Sequence, residues 1–570
     1  MARPFTGKRH VGERREKRPN GDIYVYERIT AYDQKTQKTR TVSEHLKGKI
    51  KAGTSEIVAT RYKSKKGEDG SRAIARTHTG VTDILEWAGR ESGIDADVMA
   101  SFDEGVARKL LSIARYWVAT DGASLPRLES WQNMHDLPYP HGISEDVYSD
   151  LFKSVGQNED GVQSYFLARA RRLSPNPVIA LDSTTISTYS ENQLEARRGF
   201  NKDHDGLPTI KYVTAYSEQD EEPIAYAKQP GNIPDVISVE NALRQLEALG
   251  VRKPLMVTDA GYCSEHNLME YTRRNMKFLT IMDATPVWIR QAIDAIREEI
   301  SRISSVCPFD LTVSGAKTCV EHEFHYIRQR SRNGISAGET VTFTRRLYLY
   351  VFYSGERKLK RSQDFRAELL LLKRQLEEGQ TEFTKAAEKR IEKYLVRSRT
   401  ERGGHLRILF NDTAIQEAER YFGFFVLVSN QSLELFKALS YYRLREKIEE
   451  FFADVKESFD GRKPRVWYPD NLRGRQFAQF IGLGYHCFIA KMIRKVKNTL
   501  EISPAEETAE EERKRKKLLS WLDSHSFAQI MDWFDCIETT TVKTDTVQAR
   551  WSTETTEQDR RFLKLLGVIK

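Results

Sequence analysis

Residues 178–187 read VIALDSTTIS and open the part of the chain that decides the fold. Four apolar residues precede Asp182, which predicts a buried strand that ends at this carboxylate. TIKYVTAYS and EPIAYAKQ then predict a hairpin-like pair of strands, and VISVENALRQLEALG predicts an amphipathic helix closed by Gly250. PLMVTD, NLMEYTRRN and KFLTIMD predict a strand, a helix and a strand. We therefore expect an α/β core over residues 178–283.

The order of these elements narrows the fold class. Three consecutive strands, a crossover helix and further parallel strands match the core of the ribonuclease-H-like fold. Within the residues that follow, 361–398 predict a long charged helical stretch. We predict five parts of the chain: a basic, strand-rich N-terminal DNA-binding module at 1–75, a helical domain at 76–172, a ribonuclease-H-like catalytic core at 173–284 plus 424–470, an α+β insertion subdomain at 285–423, and a helical C-terminal region at 471–570.

The composition is that of a globular protein. The 570 residues are 39% hydrophobic and 10% aromatic, and the longest apolar runs, such as FFVLV at 424–428, fall far short of the roughly 20 residues of a membrane-spanning helix. Residues 1–20 are polar and basic, unlike a secretion signal. Five scattered cysteines form neither a zinc motif nor a disulfide framework. We expect a soluble cytoplasmic protein without a membrane partner.

The positive charge is concentrated at the N-terminus. Residues 1–70 hold 18 Lys or Arg against 9 Asp or Glu, so this segment alone accounts for the net charge of +9. A basic segment of this kind is typical of phosphate neutralisation on nucleic acid, although a soluble basic tail has the same composition.

Two aspartates stand at similar places in the predicted core. Asp182 in VIALDSTT and Asp259 in LMVTDAGY each follow a short apolar strand and precede small or hydroxyl residues. Ligands and catalytic groups gather at the C-terminal ends of strands in α/β sheets. Two such carboxylates on adjacent strands can share hard cations such as Mg²⁺, whereas either one alone is typical of a turn or a helix cap.

A third candidate carboxylate lies in YYRLREKIEEFFADVK, residues 441–456. At about 100° per residue, a helix places Tyr442, Arg445, Glu449 and Lys456 within about 60° of one another, beside a separate apolar face. The other acidic residues of the segment point elsewhere. The shared angular position of these four side chains is, by itself, also typical of the solvated side of an amphipathic helix.

These four residues resemble the signature of the DDE transposases of bacterial insertion sequences, in the YREK group. The spacing Tyr-x2-Arg-x3-Glu-x6-Lys is met by Tyr442, Arg445, Glu449 and Lys456. LDSTTIS and VTDAGYCSEHNL resemble the regions of the first and second catalytic aspartates, QPGNIPD resembles the Gly-Asn-x-x-Asp segment between them, and FGFFVLVSNQ resembles the strand before the signature helix. The resemblance covers about 178–460.

The resemblance implies a function and a mechanism. Asp182, Asp259 and Glu449 would hold two Mg²⁺ ions, with Mn²⁺ as a substitute, while Arg445, Lys456 and Tyr442 would contact DNA phosphates. The protein would be a DNA transposase that binds terminal inverted repeats, cleaves the element ends through a hairpin, and joins the 3′-hydroxyl ends to target DNA. Its partners would be double-stranded DNA and a second copy in a synaptic homodimer, in a bacterial, nucleoid-associated setting.

Three details remain open at the level of sequence. Trp288 is either a core residue early in a helix or the platform for a flipped base, which needs an aromatic surface. GRKPRVWYPDNLRGRQ, residues 461–476, fits either DNA contact or a solvated loop. Ala453 stands where hairpin-forming relatives often carry a further lysine.

Two other functions fit the same residues. One is a host-adopted DNA-binding protein that kept the fold but not the activity, and the other is a ribonuclease-H-like nuclease that cuts DNA without strand transfer. Keeping all three carboxylates argues against the first. Cleavage without joining would distinguish the second.

Overall fold

The computed structural model describes most of the chain. The described residues are 9–18, 21–33, 38–51, 53, 57–58, 73–199, 201, 205–327, 338–399, 406–444, 466–502, 507–543, 548–552 and 555–569.

The N-terminal residues form a four-stranded antiparallel sheet, in agreement with the strands predicted there. Alternating side chains of IYVYERITAYD bury Val25 and Ala31 on one face, as expected for a sheet with one face packed. The strands are β1 (Arg9–Lys17), β2 (Ile23–Asp33), β3 (Lys38–Ile50) and β4 (Ile57–Val58).

A helical layer follows, introduced by one strand. The third helix is buried along most of its length because its apolar residues cover more than one side, including Trp117 and Tyr116. The elements are β5 (Ala73–His78), α1 (Gly80–Ser92), α2 (Ile94–Ser101), α3 (Glu104–Ala119), a 3₁₀ turn (Leu125–Arg127), α4 (Leu128–Gln132), α5 (Glu145–Gln157) and α6 (Glu159–Arg171).

The predicted core is present in the predicted order. β6 pairs antiparallel with β7, β7 pairs antiparallel with β8, and β6, β9 and β10 run parallel to one another. The elements are β6 (Val178–Ser187), β7 (Thr209–Ser217), β8 (Glu222–Pro230), α7 (Asp235–Ala248), β9 (Leu255–Thr258), a 3₁₀ turn (Ala260–Tyr262), α8 (Glu265–Arg273) and β10 (Lys277–Met282).

The residues predicted as an insertion extend this core sheet. β16 pairs with β10 on one side and with the long hairpin strand β13 on the other, which gives nine strands in the order β11-β12-β13-β16-β10-β9-β6-β7-β8. The elements are α9 (Val287–Ile300), a 3₁₀ turn (Ile303–Ser305), β11 (Val306–Cys307), β12 (Asp310–Ile327), β13 (Thr340–Ser354), α10 (Gly355–Glu377), α11 (Lys385–Tyr394), β14 (Leu395–Arg399), β15 (Leu406–Phe410), α12 (Asp412–Glu419), β16 (Phe424–Ser429) and α13 (Leu435–Leu444).

The charged stretch at 361–398 is mostly helical, as predicted, but it forms two helices, and its last residues belong to β14. α10 ends at Glu377 and α11 begins at Lys385. Gly379 lies between them at φ 90°, a left-handed conformation that glycine adopts without steric cost and that ends the first helix.

The C-terminal residues are mainly helical, as predicted, but they also contain a hairpin. The strand β17 pairs with β18 and with β5 from the other end of the chain. The elements are α14 (Pro469–Glu501), α15 (Ala509–Ser524), α16 (Phe527–Asp535), β17 (Glu538–Lys543), β18 (Gln548–Ser552) and α17 (Glu557–Leu566).

The long helix α14 joins the helical layer to the core sheet. It packs against α3 and α5, where Cβ atoms built on Gly156 and Gly474 would lie 1.9 Å from backbone oxygens of the facing helix. One hydrophobic core runs from α1 through the nine-stranded sheet to α17. Among the described helices, none combines the length and apolar character needed to cross a membrane.

Candidate functional site

Asp182 and Asp259 lie on adjacent parallel strands. The pairing of β6 with β9 ends with Leu181 opposite Thr258. Asp182 directly follows Leu181, and Asp259 directly follows Thr258. Adjacent strands lie about 4.8 Å apart, so the structure brings these two carboxylates together.

The expectation that Asp182 ends its strand is wrong. β6 continues to Ser187, and Asp182 lies in its middle, opposite Thr214 of β7. The hydroxyl residues after Asp182 pair with β7 and are buried there, so the strand continues past the aspartate. Asp259 directly follows β9 with extended backbone, as predicted.

Tyr442 connects the third signature segment to the second aspartate. Its hydroxyl donates a hydrogen bond to Asp259 Oδ1 at 3.2 Å, and its side chain is buried. The helix that carries it, α13, buries Ala438 and Leu439 against the sheet. A buried tyrosine usually finds a polar partner for its hydroxyl, and here that partner is a candidate metal ligand.

The turn before α13 is fixed by residues of the long hairpin. Tyr350 of β13 donates a hydrogen bond to the Gln431 carbonyl at 2.7 Å and accepts one from the Leu433 amide at 2.5 Å. Lys317 of β12 donates to the Leu433 carbonyl at 2.7 Å. These contacts set where α13 begins and therefore where Tyr442 lies.

A second carboxylate network supports the strand that carries Asp182. Ser183 Oγ donates a hydrogen bond to Asp235 Oδ1 at 2.8 Å, and Lys211 Nζ forms an ion pair with the same oxygen at 2.8 Å. Lys211 also donates to the Ile233 carbonyl at 2.6 Å. In the sequence Asp235 stands out only as the end of QPGNIPD. The role of Lys211 is not predicted, and its one signal is a lone cation within the buried strand TIKYVTAYS.

The buried phenol of Tyr262 lies near the carboxylates of Asp182 and Asp235. Burial raises the pKa of its phenol well above the usual value, and the charges of Asp235 and Asp182 raise it further, while a hydrogen bond with Ser183 opposes them. Two carboxylates therefore act on one hydroxyl, which indicates an electronegative pocket at this edge of the sheet.

The remaining signature residues lie outside the described residues. Arg445, Glu449 and Lys456 belong to 445–465, as does Ala453 and the basic stretch GRKPR at 461–465. Of the downstream aromatics, Trp467 and Tyr468 are described, and each is 66% exposed.

Trp288 lies at the beginning of α9 and lines a cavity of about 350 Å³. The cavity is also lined by Ala260, the residue after Asp259, and by His322, whose ring centroid is 4.8 Å from that of Trp288. The tryptophan is half-buried, so part of its ring faces the cavity. The structure thus brings Trp288 close to the candidate site.

A larger basic cavity adjoins that of Trp288, since Asp283 and Thr285 line both. Its volume is about 660 Å³. Arg290 lies over the ring of Tyr421 at 5.0 Å, and Arg357 lies over the ring of Phe425 at 4.2 Å. The cations that line it are Arg290, Arg357, Lys360 and Arg361.

The donor atoms at Asp182 and Asp259 fit a hard divalent cation. Carboxylate oxygens are the ligands that Mg²⁺ prefers, and it uses only one or two protein carboxylates with waters and substrate phosphates. Tyr442 holds one Asp259 oxygen from outside, as partners of metal ligands commonly do.

Comparisons with known proteins give one family match. A family model described as "Transposase DDE domain" matches residues 173–475, just over half of the 570 residues. No curated protein matches. Among solved structures, the cryo-EM structure of the piggyBac transposase synaptic complex with hairpin DNA matches with a TM-score of 0.33 and 10% sequence identity, over 80% of this chain and 78% of that one.

Proposed function

This chain belongs to the transposase DDE domain family, and from that premise we propose a complete cut-and-join reaction for it. In this proposal the protein binds the terminal inverted repeats of its own element and cleaves the DNA at their ends. It then joins the freed 3′-hydroxyl groups to target DNA. The observation that carries the proposal is that Asp182 and Asp259 lie next to each other on adjacent strands and that Tyr442 donates a hydrogen bond to Asp259.

The topology supports a ribonuclease-H-like core. Three antiparallel strands followed by two parallel ones give the order β8-β7-β6-β9-β10, with α7 as the crossover between β8 and β9. That connection brings the first and fourth strands side by side, where the two aspartates stand.

Three carboxylates would hold the metal in this proposal: Asp182, Asp259 and Glu449. Two Mg²⁺ ions, with Mn²⁺ able to replace them, would supply activation of the attacking oxygen and stabilisation of the leaving oxygen in an in-line displacement. Tyr442 restricts the orientation of Asp259 through its hydrogen bond. Lys211 offsets the charge of Asp235, and Asp235 holds Ser183 beside Asp182.

DNA would be held by cations from the signature segment and from the core. Arg445 would bind a phosphate in a bidentate manner and Lys456 as a point charge, with Tyr442 beside them. The basic cavity around Arg290 and Arg357 offers further phosphate contacts near Asp283. The N-terminal sheet, with its cationic surplus, would add sequence-independent contacts.

The hairpin route needs a place for an unstacked base. The free 3′-hydroxyl would attack the opposite strand, which forms a hairpin and releases the flanking DNA. Water would then open the hairpin and restore the 3′-hydroxyl before it is joined to target DNA. Trp288, whose cavity begins one residue after Asp259, is the described aromatic best located to stack on a flipped base. Two copies in a synaptic homodimer would hold the two ends together.

The experiment uses the full chain, Mg²⁺ and labelled DNA carrying the element's terminal inverted repeats. We expect nicking at the ends and then joining to target DNA. Asp182→Asn and Glu449→Gln should each lower nicking more than about a hundredfold, since even outer partners of metal ligands cost about 10–100-fold. The matched control is Glu450→Gln, the neighbouring carboxylate that helical phase directs away from the signature stripe.

The outcomes separate the competing functions. Nicking that survives in Glu449→Gln contradicts the active-site assignment. Cleavage without joining identifies a nuclease, whereas specific DNA binding without cleavage by the unaltered chain identifies a DNA-binding protein that has lost its activity.

A further inference from the structure

A cluster of two histidines and two carboxylates lies apart from the aspartates of the core sheet. His78 ends β5, His135 follows α4, Asp535 ends α16 and Glu538 begins β17. The ligand atoms of His78, His135 and Asp535 all lie within 4.8 Å of one another. Because 400 residues separate His135 from Asp535, no local spacing in the sequence could reveal the group.

The backbone fixes which nitrogen each histidine presents. Nδ1 of His78 lies 2.6 Å from the Asp535 carbonyl oxygen, and Nδ1 of His135 lies 2.8 Å from the Trp131 carbonyl oxygen. A carbonyl oxygen only accepts, so both Nδ1 atoms must carry a proton and donate it. Metal-binding histidines are commonly oriented by this kind of hydrogen bond, which leaves Nε2 as the ligand.

Both Nε2 atoms then point at carboxylates. Nε2 of His135 lies 2.6 Å from Asp535 Oδ1, and Nε2 of His78 lies 3.7 Å from Glu538 Oε1. In a neutral imidazole whose Nδ1 is protonated, Nε2 holds a lone pair, which repels a carboxylate oxygen at such a distance. Either a proton, on the ring or on the carboxyl, or a metal ion therefore lies between His135 and Asp535.

We propose that His78, His135 and Asp535 form a structural zinc site. Two imidazole nitrogens and a carboxylate oxygen are ligands that Zn²⁺ binds, and these three atoms lie within 4.8 Å of one another. At bond lengths of about 2.0 Å, tetrahedral ligand atoms stand about 3.3 Å apart, so the three side chains would move closer together when the ion binds. Glu538, whose Oε1 lies 3.7 Å from His78 Nε2, or a water would supply the fourth ligand.

The surroundings favour a cation and allow it to enter. Asp535 and Asp121 both act on the charge of Asp532, so three carboxylates lie on this side of the cluster. The side chain of His135 is 4% exposed, while that of Asp535 is 30% exposed, which gives a shielded ligand and an open approach. The ring of His135 also stacks on Trp131, with centroids 3.5 Å apart, and this keeps it in place.

Zinc at this position would connect the helical layer that contains His78 and His135 to the C-terminal residues that contain Asp535. His78 and Glu538 are paired across the β5–β17 ladder, and the His78 amide donates to the Met134 carbonyl at 2.8 Å. The metal would add a further connection between the helical layer and the C-terminal hairpin, and its role would be to stabilise the fold.

The test measures zinc in the full chain, purified without a histidine tag. We expect about one zinc ion per chain by elemental analysis, lost in Asp535→Asn and in His78→Gln, both of which replace partly exposed side chains. The matched control His141→Gln should keep the metal, because this histidine is exposed and lies outside the cluster. Added Zn²⁺ should raise the unfolding temperature of the unaltered chain but not that of Asp535→Asn.

The same measurements distinguish this site from the metal site proposed for DNA cleavage. The double variant Asp182→Asn/Asp259→Asn should retain zinc. Zinc lost there but kept in Asp535→Asn would assign the ion to the core aspartates and overturn the proposal. An unaltered chain that binds no zinc, and whose unfolding temperature ignores added Zn²⁺, would show that a proton alone bridges His135 and Asp535.

Discussion

At the scale of the residue, Tyr442 is the contact through which α13 reaches the candidate site. Its hydroxyl donates to Asp259 Oδ1 at 3.2 Å, and the rest of its side chain is buried. A hydroxyl donor beside a carboxylate limits the rotation of that carboxylate. Tyr442 can therefore orient Asp259, the proposed metal ligand, without contacting the metal itself.

Tyr442→Phe removes this hydrogen bond and keeps the ring. We expect nicking to need a higher Mg²⁺ concentration, with an activity loss of about 10-fold, because outer partners of metal ligands cost about 10–100-fold when removed. The measurement is the rate of end nicking as Mg²⁺ is varied. Tyr441→Phe is the control, since the neighbouring ring packs beneath Lys437 instead. Identical Mg²⁺ dependence in both variants would contradict the role given to Tyr442.

At the scale of the element, Lys211 holds together three segments of the core. It extends from β7 to Asp235 at the start of α7, and to the Ile233 carbonyl before that helix. Asp235 in turn holds Ser183 of β6. The charge of Lys211, whose side chain is only 7% exposed, therefore connects β6, β7 and α7.

Lys211→Met keeps most of the aliphatic side chain but leaves Asp235 without its ion pair. We expect the free energy of unfolding to fall by about 2 kcal/mol, because the Asp235 carboxylate loses its ion pair while it is only 30% exposed to water. Urea unfolding followed by circular dichroism measures it. The control Lys373→Met removes a surface pair with Glu377 and should cost less than about 1 kcal/mol. Equal losses in both variants would mean that burial does not strengthen the Lys211 pair.

The sequence predicts the core elements because they are local. Apolar runs, the amphipathic helix before Gly250 and their order are sufficient for β6 to β10. Sequence patterns do not predict that β13 pairs with β16, because Tyr348 and Ser429 are 81 positions apart and their register is set only in the folded sheet. The same holds for β5 and β17.

The candidate site is predicted only in part for a similar reason. Asp182 lies within one recognisable strand and Asp259 directly follows another, so their adjacency could be expected from strand order. The hydrogen bond from Tyr442 and the network of Asp235 with Lys211 depend on how side chains from different elements pack. The histidine cluster has no local signature at all, since each ligand sits in an ordinary sequence context.

At the scale of the whole molecule, one core buries many tyrosines. Burial raises the pKa of Tyr116 and Tyr350 to about 12 and that of the Cys263 thiol to about 11. It raises the pKa of Tyr212, Tyr262 and others further. In each case the neutral form is favoured by the fold.

These shifts predict that the protein loses stability in alkali. A group with a raised folded-state pKa contributes full stability below its ordinary pKa, here 9.0 for cysteine and 10.0 for tyrosine. Above that value the unfolded chain releases protons that the folded chain retains, so stability falls as the pH rises through about 11 to 12. Urea midpoints at pH 8 and pH 11 measure the loss.

The double variant Tyr116→Phe/Tyr350→Phe should lose less stability between these pH values than the unaltered chain. Tyr189→Phe is the control, because Tyr189 is 69% exposed. A midpoint that stays constant between the two pH values would contradict the prediction.

The pairing of β5 with β17 connects two segments that lie far apart in the sequence. Residues 73–78 obtain their strand neighbour from residues 538–543, more than four hundred positions away. Deletions at the two ends are therefore not independent: shortening the chain to exclude β17 also removes the hydrogen-bonding partner of β5. Fragments that isolate the core would have to keep both of these strands or neither.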